Sequence, residues 1–167
     1  WDDFPNFEQR SYLSLSRSGD EVWAFNEQGG QFVRGSRSLE KAPGQMNFVG
    51  IKWFKSTELQ SPDAPGSGEN MQLELVQRLD KLREACGFPL IVASGYRTEK
   101  HNELVGGVDS SSHTTGYAVD LRASSTAKRW TIVHNAIKLG FNRIGCGHNF
   151  IHLDCSPDHP ANRIWTY

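Results

Sequence analysis

Apolar and polar residues alternate in the first part of this chain. Tyr12-Leu13-Ser14-Leu15-Ser16 has the period of two expected of a half-buried strand. Glu21-Val22-Trp23-Ala24-Phe25 and Gln31-Phe32-Val33-Arg34 flank Asn26-Glu27-Gln28-Gly29-Gly30, which predicts a β-hairpin closed by a glycine-bearing loop. Residues 36–44 turn polar and contain Pro43 and Gly44, the composition of a linker. The pattern therefore predicts a β-rich extension with its linker over residues 1–45 and a second domain over 46–167.

The period lengthens in the second segment. Residues 61–68 form a loop on composition alone. Met71, Leu75, Leu79, Leu82 and Cys86 then recur at helical spacing and make one apolar face. Asn70 offers a cap for that helix and Gly87 a stop. Residues 89–93 read as a buried strand that Gly95 breaks. A short helix is predicted over 98–104, ended by Gly106 and Gly107, and a strand over 117–121. Ser125 or Thr126 caps a further helix with Trp130, Val133 and Ile137 inward and Gly140 as its stop. Two strands, 141–144 and 150–154, are joined too closely for a crossover and so run antiparallel. The mixture predicts an α+β fold, a small central antiparallel sheet flanked by helices.

Composition narrows the classes of function. A length of 167 residues fits one domain, or one domain plus an extension. Lys and Arg number 18 against 19 Asp and Glu, so the net charge of −1 provides no electrostatic case for a nucleic-acid partner. No apolar run approaches the roughly 20 residues that span a bilayer. The sequence opens on Trp1 without a signal-peptide apolar region, so a processed, trimmed or excised N-terminus is expected. Cys86, Cys146 and Cys155 include no CxxC pair, which argues against a thiolate zinc site. Whether Cys146 and Cys155 bond is left open. No Gly-x-Ser-x-Gly elbow supports a serine nucleophile.

Three polar residues interrupt otherwise apolar or turn-like segments. Asp120 lies inside Ala118-Val119-Asp120-Leu121 and His152 inside Phe150-Ile151-His152-Leu153. Burying either without a partner is costly. His113, after a serine run, offers a third donor. Two imidazoles and a carboxylate suit Zn²⁺, and a catalytic zinc takes three protein ligands. Asp154, two residues past His152 on the same strand face, is a candidate to orient a ligand or to accept a proton from water. His101, His134 and His159 carry weaker signals.

These residues resemble the M15 peptidases, the family of zinc D-Ala-D-Ala carboxypeptidases and endolysins. Its mark, Ser-x-His-x-x-Gly-x-Ala-x-Asp followed by a distant His, is matched by Ser111, His113, Gly116, Ala118, Asp120 and then His152. Ser94-Gly95-Tyr96-Arg97, Asn102, Gly106-Gly107, Phe150-Ile151-His152-Leu153-Asp154 and the late Trp165 also fit. The resemblance covers roughly residues 50–167. It implies a small α+β zinc fold shared with the Hedgehog signalling domain. It also implies zinc held by His113, Asp120 and His152, and hydrolysis of peptide bonds in peptidoglycan. Arg97 would bind a substrate carboxylate or polarise a carbonyl, and Ser111 would contact substrate. Several branches place a Glu three residues before the last ligand as general base, and others a His two residues before it. Here those positions are Asn149 and Phe150, which leaves Asp154 and His148 as the candidates. The expected partner is a peptidoglycan peptide and the expected oligomeric state a monomer. The expected location faces a cell wall, secreted, periplasmic or phage-derived. A non-catalytic zinc-binding or assembly module is the alternative, and a metal-free structural domain a third reading.

Overall fold

A computed structural model describes residues 12–18, 21–26, 32–36, 48 and 50–167, the first three segments as backbone. The chain divides into two compact units, Trp1–Pro43 and Gly44–Tyr167. In the first, β1 (Tyr12–Ser18), β2 (Glu21–Asn26) and β3 (Phe32–Ser36) form a three-stranded antiparallel sheet in that order. Trp23 pairs with Arg34 and Ala24 with Val33, so β2 and β3 make the expected hairpin. Ser36 belongs to β3, and the rest of the expected linker lies outside the described residues.

The second unit is built on a five-stranded sheet with helices, an α+β arrangement. Its elements are α1 (Leu73–Cys86), β4 (Val92–Ser94), α2 (Glu99–Leu104), β5 (Ala118–Arg122), α3 (Thr126–Lys138), β6 (Arg143–Cys146), β7 (Phe150–Asp154) and β8 (Arg163–Thr166). The order across the sheet is β4-β5-β7-β6-β8. The first four strands pair antiparallel, as expected, and β8 joins β6 in parallel. The sequence does not announce β8, because its run alternates little and Ile164 is exposed.

Helix α1 carries the predicted apolar face, with Leu75, Val76, Leu79 and Leu82 fully buried. Burying such side chains stabilises the fold by about 1.5–3 kcal/mol each. It starts two residues later than expected, with Gln72 at the N-cap position and no side-chain cap bond, because Asn70 closes a separate 3-10 turn over Ser67–Asn70. Met71 is buried from the extended link between the two. Gly87 ends the helix at φ +70°. Two sequence expectations are corrected. The strand expected over 89–93 is an edge strand shifted to Val92–Ser94, and Ile91 is exposed because an edge strand covers only one side. Helix α3 is rotated from the expected face: Ile132 and Ala136 are buried, Val133 half-buried, and Trp130 and Ile137 exposed. The rotation follows from packing on α1, where Thr131 O and Asn135 Nδ2 lie 3.9 and 4.0 Å from Cys86 Sγ.

The period of two in β5 and β7 divides their side chains between two faces. Val119, Leu121, Ile151 and Leu153 join the helices in one core. Ala118, Asp120, His152 and Asp154 fall on the other face, where chemistry is concentrated.

Candidate metal centre

Antiparallel pairing sets Asp120 directly opposite His152, which brings their side chains together without help from loops. His113 arrives from the turn after α2, fixed at its backbone when its carbonyl accepts from Arg97 N–H at 3.1 Å. Its ring is fixed as well: Nδ1 lies 2.7 Å from Gly95 O. A carbonyl only accepts, so Nδ1 carries the proton and Nε2 presents its lone pair. Gly95 makes this possible, since a Cβ there would lie 2.4 Å from Leu59 O.

Three donor atoms converge. His113 Nε2 lies 3.4 Å, and His152 Nδ1 2.9 Å, from Asp120 Oδ1. The donor atoms of the three residues lie within 4.8 Å of one another, and all three residues are buried. The second carboxylate oxygen, Oδ2, accepts from Arg97 Nη2 at 2.8 Å, while Arg97 Nε donates to Ser94 Oγ at 2.8 Å. Arg97 thus leaves one oxygen of Asp120 for the cluster. Two neutral-capable imidazoles and one monodentate carboxylate fit a divalent cation such as zinc.

Behind His152 stands Asp154. Its Oδ2 faces His152 Nε2 at 3.8 Å, on the ring edge away from Asp120. The same carboxylate accepts from Ser112 Oγ at 2.8 Å, Arg143 Nε at 3.0 Å and Ser156 N–H at 2.7 Å. Each buried carboxylate therefore has its own arginine. Burial opposes ionisation of both, but the groups facing them prevail. The imidazoles of His113 and His152 hold Asp120, and His152 together with the hydrogen bonds from Ser156, Ser112 and Arg143 holds Asp154, well below the usual carboxylate range. Burial disfavours the charged form of His152, and the facing carboxylates of Asp120 and Asp154 reverse this and raise its pKa.

The remaining expected site residues lie outside this cluster of donors. Ser111 is buried in the turn, where its Oγ accepts from His113 N–H at 3.4 Å and its carbonyl from Thr114 Oγ1 at 2.7 Å. His148 is exposed on the turn between β6 and β7, and its carbonyl accepts from Arg129. Asn149 is exposed beside it, with its carbonyl bonded to Ala123 N–H. Sequence reasoning gave no role to Ser94, Ser112 and Arg143. Of these, Arg143 had a detectable signal, since the short β6–β7 connection puts it opposite Asp154. Cys146 and Cys155 are free thiols at opposite ends of that hairpin. Burial pushes the Cys155 thiol up to about 11.

A buried His–Asp–His cluster on one face of a small α+β sheet can hold a divalent metal ion. Residues 52–154 match the family model described as Peptidase M15, and the chain belongs to that family. No curated relative matches the chain.

Proposed function

We propose that this protein is a zinc peptidase that hydrolyses a peptide bond in the stem or cross-link peptides of peptidoglycan. The observation that carries the reading is the convergence of one ligand atom each from His113, Asp120 and His152 within 4.8 Å, in a chain of the M15 family. Zinc, when bound, supplies a Lewis acid that polarises a carbonyl and acidifies water.

The chain's own groups do the rest. Arg97 has Nε on Ser94 and Nη2 on Asp120, and its Nη1 makes no hydrogen bond among the described residues. That nitrogen is the donor we assign to the substrate, on its scissile carbonyl or a terminal carboxylate. Asp154 has both oxygens engaged, so we assign it to orienting His152 rather than to accepting a proton. Proton acceptance then falls to His148, whose exposed turn leads into β7. Ser111 supports the His113 turn and the substrate beside it. In this reading residues 46–167 are the catalytic domain and residues 1–45 an extension. A peptidoglycan substrate places the protein on the wall side of a cell, secreted or periplasmic, or in a phage particle.

Asn149 favours a second reading, because an amide cannot take the proton that a Glu at this position would. The domain would then bind zinc without turnover and serve in wall binding or assembly. Incubation of zinc-loaded protein with defined muropeptides separates the two. Release of a peptide fragment that stops with a chelator and returns with zinc supports the peptidase. Full zinc occupancy with no cleavage of any cross-linked or uncross-linked muropeptide supports the binding module.

A further inference from the structure

The fifth strand has no place in the chemistry so far. It runs parallel beside β6, with Trp165 paired to Gly145, and Gly145 in turn lies opposite His152. Partners in register share a face of the sheet, so Trp165 projects on the face that holds the metal ligands, and Tyr167, two residues on, follows it. Gly145 is what lets them reach. A Cβ there would lie 2.7 Å from Tyr167 Cε2 and 2.9 Å from Trp165 Cε2, so both rings rest over bare backbone.

The rings end beside the metal cluster. The Trp165 ring centroid is 5.4 Å from that of His152, and the Tyr167 ring stands edge-on at 6.5 Å. Trp165 is also braced from behind. The Arg143 guanidinium lies 5.3 Å from its ring, while Arg143 Nε holds Asp154 and Nη1 donates to Pro160 O at 2.8 Å. Tyr167 packs on Phe150 at 5.2 Å yet is 71% exposed. The sheet order gives the two flanks different chemistry. Arg97, beyond β4, bounds the cluster on the β5 side, and the aromatic pair bounds it on the β6–β8 side.

We propose that Trp165 and Tyr167 form the apolar wall of the substrate site and select an aliphatic side chain on the residue next to the scissile bond. A peptide lying across the metal cluster meets a cation on one flank and two aromatic rings on the other. Its carbonyl or carboxylate turns to Arg97 and its alkyl group packs on the rings, the placement that desolvates the fewest polar atoms. This inference rests on the peptidase reading above.

The test uses zinc-loaded full chain and peptides that differ only in the residue beside the cleaved bond, glycine against alanine and a longer alkyl side chain. Trp165→Ala and Tyr167→Ala are expected to raise KM about tenfold, with kcat within about threefold and zinc content unchanged. The preference for alkyl over glycine should collapse in both. Ile164→Ala, on the opposite face of β8, should leave KM and preference as they are. If Trp165→Ala loses zinc or folding, Tyr167→Ala carries the test alone, since its ring is the more exposed. Turnover with unaltered KM and preference in a zinc-retaining Tyr167→Ala overturns the wall. No turnover by the zinc-loaded wild type overturns the peptidase reading, and the wall with it.

Discussion

Asp154→Asn is the substitution that most sharply tests the arrangement behind His152. It keeps the volume and removes the charge. Asp154 is 1% exposed and accepts from Ser112 Oγ, Arg143 Nε and Ser156 N–H. An amide has one acceptor oxygen, so at least one of these donors loses its partner, and Arg143, with a side chain 16% exposed, keeps an uncompensated charge. Breaking a buried pair by neutralising one member costs about 3–5 kcal/mol. Loss of the group that orients a ligand histidine weakens metal binding about 10- to 100-fold. The assay is denaturant unfolding of the chelator-stripped protein, followed by zinc titration. The acid side gives a second readout. A carboxyl held below its usual pKa contributes stability that is present above about pH 3.9 and lost as pH falls through the folded value. The wild type should therefore shed this stability in acid, and Asp154→Asn should lack that part of the slope. A variant within about 1 kcal/mol of wild type, with unchanged zinc affinity, would refute the reasoning.

Other substitutions probe the remaining parts. Arg97→Lys keeps the charge but loses the fork that spans Ser94 and Asp120. It should lower kcat/KM about 10- to 100-fold at unchanged zinc content, and unaltered kinetics would remove Arg97 from the site. His148→Ala should lower kcat at least about 100-fold while zinc stays bound; an unchanged kcat and pH profile would exclude it as the proton acceptor. Gly95→Ala forces a Cβ to 2.4 Å from Leu59 O. The turn must then move, and with it the carbonyl that fixes His113, so both thermal stability and zinc affinity should fall; a variant that retains both would show that this contact does not set the His113 ring.

Much of this was legible before the structure. Asp120 and His152 stood out because each interrupts an apolar strand, and register pairing explains why both interruptions sit at one place. The face of α1 was legible because Leu75, Leu79 and Leu82 keep one period. The face of α3 was not: Trp130 is its largest apolar residue, yet approach to α1 depends on smaller groups near Cys86. Strand β8 was hidden because its reason to pair is long-range, a bare Gly145 that accepts two aromatic rings. Arg143 was readable only through the short β6–β7 connection that sets it opposite Asp154, and Ser112 was hidden. Both act through Asp154, and for Ser112 a partner 42 residues away leaves no local pattern.

The central claim is that His113, Asp120 and His152 hold one zinc. Metal content of the purified chain by elemental mass spectrometry, wild type beside His113→Ala, tests it most directly. The account predicts about one zinc per chain in the wild type and its loss in the variant. No bound metal in the wild type after zinc is supplied, or full zinc in His113→Ala, would contradict it.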